Sequence, residues 1–181
     1  MRIHIFGASG SGVTTLGNRL AAALGCPYFD ADAYYWEESD PPFTIRRDPV
    51  VRNDRLREAL SAQAAWVLGG SLVSWGPEWP LRFDLAVFIW IPPSVRLERL
   101  RSREHKRYGD IIRTDPVRRR QYEAFIAWAA RYDDSTFRGR SLVVHETWMS
   151  ALPCPVLQLR GDMTVEHRVQ AVMQHVQTLK L

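Results

Sequence analysis

Gly7-Ala8-Ser9-Gly10-Ser11-Gly12-Val13-Thr14-Thr15 is the stretch on which the rest of the chain is organised. A short apolar run, Ile3-His4-Ile5-Phe6, precedes it and reads as a first strand. Leu16, Leu20, Ala23 and Leu24 follow at helical spacing. Strand, glycine-rich loop and helix in this order make a phosphate cradle. The glycines open backbone conformations that let N–H groups converge on phosphate oxygens. A helix starting near Thr14 adds its free N–H groups and its positive dipole end. The alternative is a tight strand-to-helix turn that holds no ligand.

The spacing fits G-x-x-x-x-G-K-[ST] at every fixed position but one. Gly7 and Gly12 are the fixed glycines, and Thr14 supplies the hydroxyl that would ligate Mg²⁺. Val13 stands where the lysine belongs. That lysine neutralises the β- and γ-phosphates, and valine does not.

Composition bounds the rest. The chain has 181 residues, 46% hydrophobic and 24% charged, which suits one globular unit over 1–181. No apolar run approaches the roughly 20 residues of a membrane span. The N-terminus enters a strand directly, so no signal peptide is expected. Cys26 and Cys154 each precede a proline at a strand start and form neither a disulfide framework nor a metal spacing. Together these predict a reducing, cytoplasmic setting. The net charge is +4. Arginine supplies nearly all the positive charge, since Lys106 and Lys180 are the only lysines. Arginine suits forked phosphate recognition, and a compositional bias explains it equally well.

Gly25 and Pro27 end the first helix, and Tyr28-Phe29 is a short second strand. It runs into Asp30-Ala31-Asp32. In an open parallel sheet, ligands bind beyond the carboxyl ends of the strands, so both carboxylates fall on the edge that carries the glycine loop. One would hold Mg²⁺ and the other would orient or deprotonate an acceptor hydroxyl. A helix cap at either Asp is the plainer reading, and the two are compatible.

Residues 37–49, with Pro41, Pro42 and Pro49, read as a loop, in which Arg46 and Arg47 either bind an anion or are solvated. Val50, Val51, Leu56, Ala59 and Leu60 suggest an amphipathic helix. Trp66 to Gly70 is a third strand whose glycines permit close approach. Trp75 to Pro80 either lines a pocket or caps the core. Asp84 to Ile91 is the clearest buried strand. The helix after Pro92-Pro93 places Arg99 and Arg103 on one face and breaks near Gly109. A second helix follows Asp115-Pro116 and ends near Arg131. Two arginine-bearing helices around a short connection suggest a lid over about 99–120, against the alternative of solvated charged faces. Residues 138–153 are mixed, and His145 reads as structural because no second histidine follows at metal spacing. Pro155 to Leu159 is the fifth strand, Arg160-Gly161-Asp162 the turn after it, and a helix closes the chain.

With these elements placed, the chain resembles the nucleoside- and adenylate-kinase-like group of P-loop phosphotransferases, of which shikimate kinase and gluconate kinase are small members. The resemblance spans essentially the whole chain. It implies a three-layer α/β P-loop NTPase fold: a five-stranded parallel sheet in the order 2-3-1-4-5, helices on both faces and a helical lid. It also implies ATP and Mg²⁺ as cofactors, with the γ-phosphoryl moved to a small acceptor. Position by position, it assigns Gly7, Ser9, Gly10, Ser11, Gly12, Val13, Thr14 and Thr15 to the phosphate loop, and Thr14 and Asp30 to magnesium. Asp32 falls to the acceptor, and Arg99 and Arg103 match paired lid arginines. Arg131 matches a later transition-state arginine only loosely. The run ending in a non-lysine and two threonines resembles a subgroup described only as adenylate-kinase-like.

Three functions compete. A Mg-ATP-dependent kinase with a nucleoside or nucleotide acceptor uses all of these residues. A catalytically weak or inactive nucleotide-binding module would explain Val13. A nucleic-acid binder is permitted by the calculated pI of about 9.4, but arginines gathered around a lid serve small phosphates as readily.

Overall fold

The computed structural model describes residues 1–40 and 42–179. Pro41, placed above in a loop, and Lys180 lie outside the described residues. Five strands form one parallel sheet: β1 (Arg2–Gly7), β2 (Tyr28–Asp30), β3 (Trp66–Gly69), β4 (Leu85–Trp90) and β5 (Val156–Arg160). Their order is β2-β3-β1-β4-β5, as the resemblance implied. At the centre, Ile5 stands opposite Gly69 on one side and Val87 on the other.

Alternation along β1 builds both layers around the sheet. Ile3 and Ile5 face α1 (Val13–Leu24) and α8 (Val165–Thr178), packing with Leu16, Leu20, Val172 and Val176. Phe6 joins Phe88 and Met149 of α7 (Leu142–Ser150) on the opposite face. There α3 (Pro49–Ser61) adds Leu56 and Leu60 to Trp66, Leu68, Trp79 and Phe83. Each such side chain contributes about 1.5–3 kcal/mol by leaving water. A sheet covered on both faces explains why β3 and β4 read as continuous apolar runs.

The structure corrects several local expectations. Residues 138–153 contain a true helix, α7, capped by Ser141, whose Oγ accepts from the N–H of Val144. Val50 and Val51 of α3 are exposed, and Arg52 takes the inward position instead. Its guanidinium lies 3.9 Å from the Trp75 ring centroid and 5.5 Å from that of Tyr35. Cation–π attraction and the apolar stem make this arginine a packing residue. Trp75 and Trp79 are core, which settles the alternative left open for that segment. Arg47 is neither solvated nor free for an anion. It pairs with Glu37 at 3.0 Å and donates to the carbonyls of Ala33 and Tyr34.

Between β4 and α7 the chain makes a helical excursion: α4 (Pro93–Tyr108), α5 (Ile111–Thr114) and α6 (Pro116–Ala130). Gly109 ends α4 with φ 62, and Asp115 caps α6 by accepting from the N–H groups of Val117 and Arg118. A single 3-10 turn, Arg131–Asp133, brings the chain back. Asp133 accepts there from Trp90 Nε1 at 2.9 Å and from Arg96 at 2.8 Å. Arg96 also donates to the Ala129 carbonyl at 2.7 Å. This knot ties the end of the excursion to its beginning. No helix among the described residues is long and apolar enough to cross a membrane.

Candidate active site

β1 delivers Gly7 to the sheet edge, and the loop turns back at once. The Ser11 N–H donates to the Ala8 carbonyl at 3.0 Å. Gly12 adopts φ 97, in the left-handed region, and precedes α1 without any side-chain cap. The first-turn N–H groups of α1, at Val13, Thr14 and Thr15, are therefore left open to an anion. Gly10 backs directly onto α4, where a Cβ would sit 2.9 Å from the Arg96 carbonyl oxygen. The Ser11 hydroxyl is buried under the loop without a partner among the described residues, and Ser9 is half-buried. Val13 is half-buried and packs against the core. Open amides and a backbone brought to the surface by glycine fit a polyphosphate.

The edge of β2 supplies the oxygens. Thr14 Oγ1 donates to Asp30 Oδ2 at 3.3 Å, and the Tyr28 hydroxyl donates to the same oxygen at 3.4 Å. Asp30 Oδ1 accepts from the Asp32 N–H at 3.0 Å and caps α2 (Ala31–Tyr35). Asp30 therefore faces the loop while serving as a cap. Among the described residues no three His, Cys, Asp or Glu side chains gather as a metal shell. Mg²⁺ bound largely through phosphates and water needs only one or two protein oxygens, and the Thr14–Asp30 pair fits that demand.

Asp32 is different. It is open to solvent on one side, yet surrounding protein pushes its carboxyl above the ordinary range. The charge of Arg140 opposes that rise, Asp30 reinforces it, and Arg103 and Arg107 oppose it more weakly. A solvent-facing carboxylate pushed up by the protein beside it, with arginine charges near it, is suited to taking a proton from a hydroxyl.

Arg99 and Arg103 share a face of α4 with Val95, Glu98, Ser102 and Lys106, lining an open groove of about 530 Å³. Arg99 pairs with Asp162 at 2.6 Å, bridging α4 to the turn after β5. Arg103 holds Glu104 at 2.9 Å. Arg131 does not join them: it bonds Asp134 at 3.3 Å and lies 4.3 Å from the Phe137 ring centroid. Sequence reasoning missed Tyr28 and Arg140. Tyr28 looked like an ordinary strand residue, and Arg140 sits in a stretch with no periodic signal, so neither announced itself. His145 is structural as expected, held between Tyr132 at 2.7 Å and Ser71 at 3.0 Å.

A parallel sheet in this order, with a glycine loop between its central strand and the following helix, defines the P-loop fold found in small-molecule kinases. The chain belongs to the AAA domain family, whose model matches residues 3–122. It is 40% identical over 174 residues to the uncharacterised protein YqaC of Bacillus subtilis (strain 168), covering 96% of each chain. A shikimate kinase from Bacteroides thetaiotaomicron is similar in structure, with a TM-score of 0.59 at 20% identity over 98% of both chains. A gluconokinase from Sinorhizobium meliloti 1021 gives a TM-score of 0.56 at 17% identity, covering 98% of this chain and 92% of that one.

Proposed function

We propose that this protein is a Mg-ATP-dependent phosphotransferase acting on a small acceptor of the nucleoside or nucleotide type. The single observation behind this reading is the division of labour between the two carboxylates. Asp30 touches the loop hydroxyl of Thr14 at 3.3 Å, while Asp32 stands two residues on, facing solvent, with its carboxyl pushed upward by the protein packed beside it. A protein that only binds nucleotide has little need of an acceptor-side carboxylate.

In this reading the amides from Gly7 to Thr15 bind the phosphates, and Thr14 and Asp30 hold the metal. The metal neutralises phosphate charge when bound. Asp32 accepts the proton of the acceptor hydroxyl. Arg103 and Arg99, from the groove face of α4, stabilise the developing charge once the lid region, about 99–120, closes. Arg131 would have to leave Asp134 to contribute. Arg140, the strongest opposing charge at Asp32, orients an acceptor beside it.

The test is calorimetry of ATP with and without Mg²⁺, then a screen of nucleosides, nucleotides and hydroxy acids for ADP release. Mg-dependent binding with acceptor-stimulated release, abolished in Asp32→Asn, is the expected result. Binding without turnover on any acceptor would turn the reading to a nucleotide-binding module. Val13, uncharged and only partly buried against the core, favours that second reading.

A further inference from the structure

Arg168 lies near the start of α8, far in sequence from the glycine loop and in contact with it. One guanidinium nitrogen donates to the Ser11 carbonyl at 2.9 Å, and the other donates to the Gly161 carbonyl at 3.2 Å. The residue is only 2% exposed, and its Nε has no partner among the described residues. A Cβ on Gly12 would lie 3.1 Å from the guanidinium, so nothing stands between the charge and the loop backbone there.

Among the described residues Arg168 has no counter-ion within ion-pair distance. Asp162 acts on it favourably from a distance, but that carboxylate is paired with Arg99 at 2.6 Å. Burial and the neighbouring charge of Arg99 both work against its protonation. A guanidinium stays charged regardless. A buried charge satisfied only by carbonyls costs stability heavily unless an anion compensates it. The anion the adjacent loop is built to receive is a phosphate.

We infer that Arg168 is the positioning residue of the phosphate loop and the source of the fixed positive charge that Val13 cannot supply. By holding the Ser11 carbonyl it leaves the Gly12 and Val13 amides free for the ligand. The phosphates of a bound polyphosphate complete its charge balance. This rests on the reading of the loop as a polyphosphate cradle.

Inorganic tripolyphosphate, titrated calorimetrically at low salt without metal, isolates the loop from acceptor and base. Arg168→Met is expected to lose ~30-fold in affinity, the scale of a charge-assisted contact. Arg168→Lys, which keeps the charge but gives up the two-pronged hold on the carbonyls, is expected to fall between wild type and Arg168→Met. Val13→Lys in wild type is expected to gain less than ~10-fold, because the charge is already present. Val13→Lys in the Arg168→Met background is expected to restore most of the loss. A purely structural arginine would not be rescued by a lysine at position 13. Unchanged affinity in Arg168→Met overturns the inference, as does a failed rescue in a variant that still melts cooperatively. A gain above ~10-fold from Val13→Lys alone also overturns it, and that arm decides the matter if Arg168→Met does not fold. Wild-type protein that binds no tripolyphosphate overturns both this inference and the proposed function. Wild-type binding that ignores Arg168 overturns this inference alone.

Discussion

The Tyr28 hydroxyl reaches Asp30 Oδ2 at 3.4 Å through space that two glycines leave open. A Cβ on Gly17 of α1 or on Gly69 of β3 would overlap the Tyr28 side chain. Burial, then the charge of Asp30, push the phenol's pKa up, so it stays protonated and donates. Tyr28→Phe is therefore expected to weaken Mg-dependent nucleotide binding several-fold while costing ~1 kcal/mol of stability. Gly17→Ala displaces the ring and is expected to cost ~1–3 kcal/mol by overpacking. Urea unfolding alongside nucleotide titration measures both.

Asp32 carries a prediction with opposite signs for stability and activity. Its carboxyl is raised, chiefly by burial, so the folded state takes up a proton more readily than the unfolded chain. The linked stability is present in acid and lost as pH rises through the raised pKa. Asp32→Asn should melt higher than wild type at neutral pH, with the gap closing as the pH falls through the carboxyl range. The same variant should lose phosphoryl transfer. A lower melting temperature at pH 7 would show that the surrounding arginines outweigh burial.

Two buried histidines set the acid limit. His4 and His145 are both held near a pKa of about 3 by burial, against 6.5 in the open chain. Arg140 and His4 add smaller downward contributions at His145. The unfolded state binds protons first, so stability should fall as pH drops below 6.5 and continue falling toward 3. Each histidine contributes up to ~1.4 kcal/mol per pH unit. His4 stacks with Phe6 at 5.3 Å and Phe83 at 4.5 Å, so a phenyl ring fits its place. His4→Phe should flatten the dependence of melting temperature on pH between 4 and 6.5, in scanning calorimetry. An unchanged slope would count against burial as the cause.

Asp133→Asn tests the knot at the end of the excursion. Arg96 is 1% exposed and would keep its bond to Ala129 but lose its carboxylate. Removing one partner of a buried pair costs ~3 kcal/mol. The expected signature in hydrogen exchange is faster opening of α4 and α6 with β1 and β3 still protected.

Much of this was legible because short-range chemistry carries it. Gly12 and Thr14 mark the loop by spacing alone. Asp30 and Asp32 mark the sheet edge because a strand's end must fall where its apolar run stops. Gly109 and Asp115 mark the breaks between the helices of the excursion. Val50 and Val51 misled for the converse reason. Apolarity says that a side chain prefers burial, but only the neighbours of α3 decide which side faces Trp75, and they chose Arg52. α7 escaped notice because polarity and burial disagree along it: His145 is buried while Val143 is exposed, so its apolar residues mark no single face.

The sequence by itself determined the strand–loop–helix cradle, the carboxylates beside it and the parallel sheet, since each follows from residues close together in the chain. Tertiary structure alone decided which distant side chains complete the cradle. Arg168 meets Ser11 across 157 positions, and Tyr28 enters the gap between two glycines on separate elements. Periodicity and motif record what a residue needs from its neighbours in the chain. They hold no information about which buried charge, brought in by packing, will stand against a loop's carbonyl.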